Sequence, residues 1–380
     1  MSARGPFYTE DHEMLREQVR RFAEAEIAPN AEEWDEAEGF PRDLYRKAAE
    51  AGILGVGFPE DYGGAGGDIF HQLIVKEELS RGGSGGVRAS LMSHTIALPP
   101  ILAVGSEDLK RRVLPPVLAG EKIAALAITE PHTGSDVASL RTAARRDGDH
   151  YVVSGQKIFI TSGIRADFYT VAVRTGGPGM DGISLLLVER DRPGFAQTPL
   201  KKMGWWCSDT AILYFDQCRV PAANLIGAEN AGFKAAMRNF NSERLGISAS
   251  VLGSAKACYE DALAYARERV TFGRPLIANQ VVRHKLVDMA TRIRATEAML
   301  DATAWRVAQG ETAAAEIAML KNQATATYEH CANEAVQLHG GAGILRGSRV
   351  ERLFRESKIL SIGGGSAEIM KDLAARQMGY

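Results

Sequence analysis

No run of about 18 apolar residues occurs in the 380-residue chain, so no segment reads as a membrane-spanning helix. Cysteine is scarce. Cys207, Cys218, Cys258 and Cys331 form no CxxC pair, which excludes a disulfide scaffold and a zinc ribbon and suits a reducing cytoplasm. The 8 histidines show no HExxH or HxxxH spacing, so no metal is expected. There is no GxxxxGK[ST] loop and no GxSxG elbow, which weighs against phosphoryl transfer and serine hydrolysis. Neither sign of charge dominates. With 45 Lys and Arg against 47 Asp and Glu, the net charge of -2 argues against nucleic acid as a partner, a local basic patch aside. The opening Met1-Ser2-Ala3-Arg4-Gly5-Pro6 passes into charged helical sequence without an apolar leader core, so the expected location is cytoplasmic.

What the chain has in excess is glycine, 39 residues gathered in clusters. Between them the hydrophobic period changes twice. In the first third, Leu15, Val19 and Phe22 mark one helix face, Pro29 is expected to end that helix, and a second helix around 41–51 stops at Gly52. The middle third carries short β-rich runs at 151–160, 168–174, 183–189 and 211–215. There Gly177-Pro178-Gly179-Met180-Asp181-Gly182 fits G-x-G-x-x-G, but a strand follows where a dinucleotide site needs a helix, so it reads as a hairpin turn. The last third returns to long helices, with Val282, Leu286, Met289 and Ile293 on one face and Leu320, Ala324, Cys331, Ala335 and Leu338 on another. The expected fold is α+β in three domains: a helical domain over 1–123, an antiparallel β-barrel or sandwich over 124–232, and a four-helix bundle over 233–380.

Polar, glycine-rich segments lie at the boundaries. They are Ile128-Thr129-Glu130-Pro131-His132-Thr133-Gly134-Ser135-Asp136-Val137, Lys157–Gly163, Trp206-Cys207-Ser208-Asp209-Thr210, Arg269-Val270-Thr271-Phe272-Gly273, Gln337–Gly343 and Gly363–Ile369. Singly each passes for a loop or a cap. In this order, on an α–β–α plan, they resemble the acyl-CoA dehydrogenase family over essentially the whole chain. The resemblance implies an FAD-dependent oxidation of a saturated acyl-CoA to its trans-2-enoyl-CoA, with electron-transferring flavoprotein as acceptor and a homotetramer, a dimer of dimers, as assembly.

The same resemblance assigns roles. Ile128, Thr129, Gly134 and Ser135 would meet flavin and pyrophosphate, and Phe159 and Thr161 would lie beside the isoalloxazine, Phe159 standing where many members have Trp. From the neighbouring subunit would come Arg269, Thr271, Phe272, Gln280, Gln337 and Gly341, with Ser366 and Glu368 as further flavin contacts. Ser135, Ser208, Asn241, Arg244 and Gly363 would contact the substrate, and Cys207 is expected to be structural.

One departure decides the chemistry. Many members carry the catalytic glutamate in the C-terminal loop, and here that position is Gly364. Glu243, next to Arg244, is the replacement, resembling base placement in long-chain and isovaleryl-CoA dehydrogenases. Gly246, Ile247, Ser248 and Ser250 follow within two turns, and such small residues are expected to let a ligand approach. Gly364 keeps a backbone N–H for the thioester oxygen. The paired glycines Gly363 and Gly364 favour a medium or long, or branched, acyl chain, which Trp205 and Trp206 could narrow. An oxidase using oxygen, a non-catalytic family scaffold and a DNA-associated relative are the alternatives. A short C-terminus speaks against the first, intact motifs against the second and the net charge against the third.

Overall fold

The computed structural model describes residues 7–380. The Met1–Pro6 segment, on which the expectation of no leader rests, lies outside the described residues. Helix Glu10–Phe22 buries Val19 and Arg16 on its inner side. Pro29 does not end the helical path. The chain widens into a π turn at Ala23–Ile27, tightens into a 3-10 turn at Ala28–Asn30, and resumes as Ala31–Glu36. Pro29 sits at the start of a new turn, where its missing N–H costs nothing.

Helix Ile69–Arg81 is the keystone of the N-terminal region. Asp68 caps it by accepting from the His71 N–H, and Phe70, Leu73, Ile74, Val75 and Leu79 bury it on several sides. It packs between helix Glu10–Phe22 and helix Gly232–Glu268. Its buried Glu77 and Glu78 are matched by Lys256, Arg16 and Arg20.

The middle region has strands β1 (Ala124–Ala127), β2 (Ala143–Asp147), β3 (His150–Thr161), β4 (Phe168–Arg174), β5 (Ile183–Glu189), β6 (Phe195–Pro199), β7 (Thr210–Pro221) and β8 (Leu225–Ile226). The order is β6-β7-β3-β2-β4-β5-β8, with β1 added on β4, so the sheet does not close into a barrel and is sandwich-like. Nor is it wholly antiparallel, since β1 and β2 both run parallel to β4. Leu185 and Leu187 of β5 enter one core cluster, Leu186 and Val188 another, so this strand is buried on both faces. That explains its unbroken apolar run. The 177–182 segment turns from β4 into β5, as its hairpin reading requires.

Helices Gly232–Glu268, Gln280–Ala308, Ala314–His339 and Ala367–Met378 form the C-terminal bundle around Leu252, Leu286, Met289, Leu320, Ala324 and Ala335. All four cysteines are buried and free. Among the described residues no single helix is long and apolar enough to cross a membrane.

Candidate active site

Asn239, Glu243 and Gly246 fall at i, i+4 and i+7 on helix Gly232–Glu268 and share one face. A cavity of roughly 170 Å³ opens along that face, with Asn239, Ser242 and Glu243 on one wall. Helix Ile69–Arg81 supplies Gln72, Val75 and Lys76 to the opposite side, and Phe58, Met92, Pro99 and Leu102 complete an apolar lining. Glu243 is the only carboxylate in that lining. Burial pushes its carboxyl above the ordinary glutamate value, and Lys76, Arg244 and Lys321 pull it partly back.

The small residues after Glu243 have a different reason from the one expected. A Cβ at Gly246 would overlap the Lys76 ammonium, and one at Gly253 would overlap the Glu77 carbonyl. Their smallness lets two helices approach closely. Ser248 and Ser250 donate to the carbonyls of Arg244 and Gly246 within their own helix.

The glycine loop lies against this helix. The Gly364 carbonyl accepts from Arg244 Nε at 3.2 Å, and the Gly365 carbonyl from Lys321 Nζ at 2.6 Å. Lys321 is fully buried, and burial lowers its pKa to about 8. Asn241 Oδ1 accepts from Arg244 Nη1 at 3.4 Å. With both carbonyls held by cations, the Gly364 N–H finds no acceptor among the described residues. Gly364 has φ +70, and a Cβ there would overlap Ile247 Cδ1. A side chain returned to this position must displace that terminal methyl and hold a left-handed backbone. Gly364→Ala should cost about 1–2 kcal/mol from the left-handed backbone alone. Gly364→Glu in a Glu243→Gln background should remain inactive in a flavin-bleaching assay unless Ile247 is also truncated.

The second group of expected residues lines the β domain. Glu130 and Thr133 close a tight turn through paired backbone bonds of 2.9 and 3.1 Å. Gly134 and Ser135 stand exposed beside it. The turn is locked from within: Glu130 accepts from Lys157 Nζ at 2.8 Å and from the Arg141 and Thr142 amides, and Lys157 Nζ also donates to the Ile128 carbonyl at 2.9 Å. The Thr129 carbonyl accepts from the Ile158 N–H, which joins this turn to β3. Between Lys157 and Ile160 the β3–β7 register slips, and Phe159 sits in the slip with φ +62 and 65% exposure. A strained backbone that turns an aromatic ring outward fits a planar ring system stacked beside it. Thr161, half-buried, ends the strand.

A third group is carried by the bundle. Arg269 leads into a ribbon, Val270–Thr271 paired with Arg274–Pro275, whose tip is Phe272 at φ +51 and 103% exposure. Gln337 and Gly341 are exposed at the end of helix Ala314–His339, and Tyr265 stacks on His339 at 4.2 Å, joining that end to the ribbon's base. Gln280, also exposed, opens helix Gln280–Ala308. Ser366 caps helix Ala367–Met378 by accepting from Ile369 N–H, and Glu368 stands in its first turn.

Ser208 stands apart from these groups. It is fully buried and its hydroxyl bonds Ser90 Oγ at 2.9 Å. Cys207 is equally buried, and burial raises its thiol to about 12. Gly363 is half-buried in the loop. Lys76 and Lys321, largely enclosed lysines that shape the site, stand outside every motif, whereas Lys157 opens one of them. His12, Asp68 and His71 also converge, but their rings and carboxylate hydrogen-bond one another at the cap of helix Ile69–Arg81.

The chain matches three family models: acyl-CoA dehydrogenase N-terminal domain over residues 9–121, middle domain over 125–218 and C-terminal domain over 230–379. It is 40% identical over 373 residues to an acyl-CoA dehydrogenase of Bacillus subtilis, covering 97% of this chain and 98% of that one. A probable acyl CoA dehydrogenase from Mycobacterium abscessus superposes with TM-score 0.96 at 49% identity, covering 98% of this chain and 100% of that one. A glutaryl-CoA dehydrogenase from Mycobacterium smegmatis, solved in complex with FADH2, superposes with TM-score 0.93 at 28% identity, covering 98% and 95%.

Proposed function

The chain belongs to the acyl-CoA dehydrogenase family, and from that premise we propose that Glu243 removes the α proton of a saturated acyl-CoA while the β hydride leaves to FAD, giving the trans-2-enoyl-CoA. The observation that carries this reading is a single free carboxylate, raised by burial, on the wall of a cavity of mixed polar and apolar lining beside a loop that has none. The chemistry FAD supplies when bound is acceptance of that hydride. Glu243 takes the proton, so charge develops on the thioester oxygen as the α C–H bond breaks. The Gly364 N–H, left without an acceptor, is suited to that oxygen. Burial keeps the carboxyl basic enough for proton abstraction near neutral pH.

FAD fits the residues present: an exposed Gly134–Ser135 turn braced from inside, and the outward ring of Phe159. Ile128, Thr129 and Thr161 complete that side. The bundle residues Arg269, Thr271, Phe272, Gln280, Gln337 and Gly341 are assigned to the FAD of a neighbouring subunit, which the full exposure of Phe272 supports, with a homotetramer as the assembly. Ser366 and Glu368 belong with this set. Asn241, Arg244, Gly363 and Ser135 are assigned to CoA, and Ser208 to supporting the loop behind it. Electron-transferring flavoprotein is the acceptor proposed, in the cytoplasm. A cavity of roughly 170 Å³ favours a compact or branched chain over a long one, since a cavity of about 150 Å³ holds benzene.

Anaerobic titration with an acyl-CoA panel tests the reading. The purified protein should be yellow and bleach with at least one acyl-CoA, and colourless protein that takes up no FAD, or flavin that no acyl-CoA reduces, sinks it. Rapid aerobic peroxide formation without a carrier favours the oxidase alternative. The pH profile gives a second check. Because Glu243 is active only when ionised and its pKa is raised, kcat/KM should climb with pH through a value above the ordinary 4.5 of glutamate. Lys76→Met removes a cation that favours the carboxylate, so the acidic limb should move further up.

A further inference from the structure

Lys76 favours the Glu243 carboxylate through its charge, but that role uses none of its hydrogen-bond donors. It sits in helix Ile69–Arg81 next to Glu77, and the two residues have opposite surroundings. Glu77 is tied to Lys256 at 2.7 Å. The Lys76 ammonium faces the cavity wall beside Gly246, one helical turn beyond Glu243, and makes no ion pair or hydrogen bond among the described residues. Burial lowers its pKa to about 8, which still leaves it charged at neutral pH. Asn239 lies one turn before Glu243 on the same wall, and its buried Nδ2 also meets no acceptor. Behind the cavity, the Arg88 guanidinium lies over the Trp205 ring at 5.3 Å with its Nε unpartnered, and adds to the positive potential at Lys76. Two donor groups without hydrogen-bond acceptors, Lys76 Nζ and Asn239 Nδ2, line a space in which Glu243 is the only carboxylate. An alkyl chain would leave both unpaired, which is costly in a desolvated site.

We propose that the cavity selects an acyl-CoA whose chain ends in a carboxylate, with Lys76 as the residue that receives it and Asn239 as a second donor on the wall. The inference rests on the reading of Glu243 as the base, and it names the class of substrate: the CoA monothioester of a short dicarboxylic acid. The Lys76 ammonium lies beside Gly246, three residues or about 4.5 Å of helix rise beyond Glu243, so the chain proposed is a short one. The apolar side chains of Val75, Met92, Pro99 and Leu102 would cover the intervening methylenes.

The test compares adipyl-CoA with hexanoyl-CoA, and glutaryl-CoA with pentanoyl-CoA, by anaerobic flavin bleaching of the holoenzyme and of Lys76→Met. The wild type should half-saturate at about tenfold or more lower concentration with the carboxylate-bearing member of each pair, the scale of one charge-assisted hydrogen bond. Lys76→Met should reverse the preference. A wild type that prefers the uncharged chains overturns the inference, as does a preference that survives in Lys76→Met, or a variant that only shifts the pH profile of both substrates equally. If Lys76→Met does not fold, the wild-type preference and its change in Asn239→Leu decide the matter. Calorimetric binding of the four thioesters to Glu243→Gln tests the inference without turnover. Bleaching by uncharged acyl-CoAs alone leaves the dehydrogenase reading standing and removes this one. Bleaching by no acyl-CoA removes the dehydrogenase reading.

Discussion

Glu243→Gln should lower the rate of flavin reduction by acyl-CoA by about 10²- to 10⁴-fold, the contribution typical of a positioned general base, while FAD and CoA remain bound. The argument is one of exclusion inside a defined space. The cavity wall holds no other carboxylate, and its remaining polar groups, Gln72, Lys76, Thr95, Asn239 and Ser242, are poor acceptors for an α proton at neutral pH. Gly364, which could have carried an alternative base, has no side chain. Glutamine keeps the shape of Glu243 and loses only the ability to take a proton. The cations Lys76, Arg244 and Lys321 would lose the carboxylate that offsets them, so their own pKa values should fall. Stopped-flow reduction of the purified variant is the measurement. Reduction within a few-fold of wild type would reassign the base.

The proposed placement of the base starts from an absence. Once the loop position reads Gly364, a second carboxylate must be found, and Glu243 beside Arg244 is the residue at hand. The glycines of the following turn were less legible. Gly246 looks like part of a ligand-facing stripe in sequence, yet with Gly253 further along it serves contact between helices. Small residues report a close approach without reporting what approaches. Pro29 misleads for a related reason: proline forbids a donor, and a helix that re-forms as a 3-10 turn needs none there. For Phe159 only the resemblance speaks in sequence, because the register slip that turns its ring outward depends on β7, some fifty positions away. The parallel pairing of β1 and β2 with β4 is likewise set by partners distant in sequence. Lys76 is hardest of all. In Val75-Lys76-Glu77-Glu78 it resembles a solvated helix face, and only burial of that helix from several sides shows it to be enclosed.

Glu130→Ala should cost about 3–5 kcal/mol of stability, the penalty for removing one partner of a buried ion pair. That is a large part of the roughly 5–15 kcal/mol holding a typical domain folded. The side chain of Glu130 is almost wholly buried, and it satisfies the Lys157 ammonium and the amides of Arg141 and Thr142 together. Without it, Lys157 keeps only the Ile128 carbonyl. Burial already lowers the Lys157 pKa to about 8 even with Glu130 beside it. Losing that partner should drive it lower, toward the neutral amine at neutral pH. The damage should reach the cofactor, because Ile128, Thr129 and the Gly134–Ser135 turn are held in place from this pair. Chemical denaturation combined with flavin content per chain separates the two effects. In Glu130→Leu with Lys157→Met, both charges are gone and the space stays filled, so stability should largely return. FAD retention should stay impaired, since the double variant restores packing without the bonds that fix the Arg141 and Thr142 amides and the Ile128 carbonyl. A single variant that loses less than about 1 kcal/mol would place the pair nearer solvent exchange than its burial indicates. A double variant that regains full FAD content would show that the turn is shaped by packing alone.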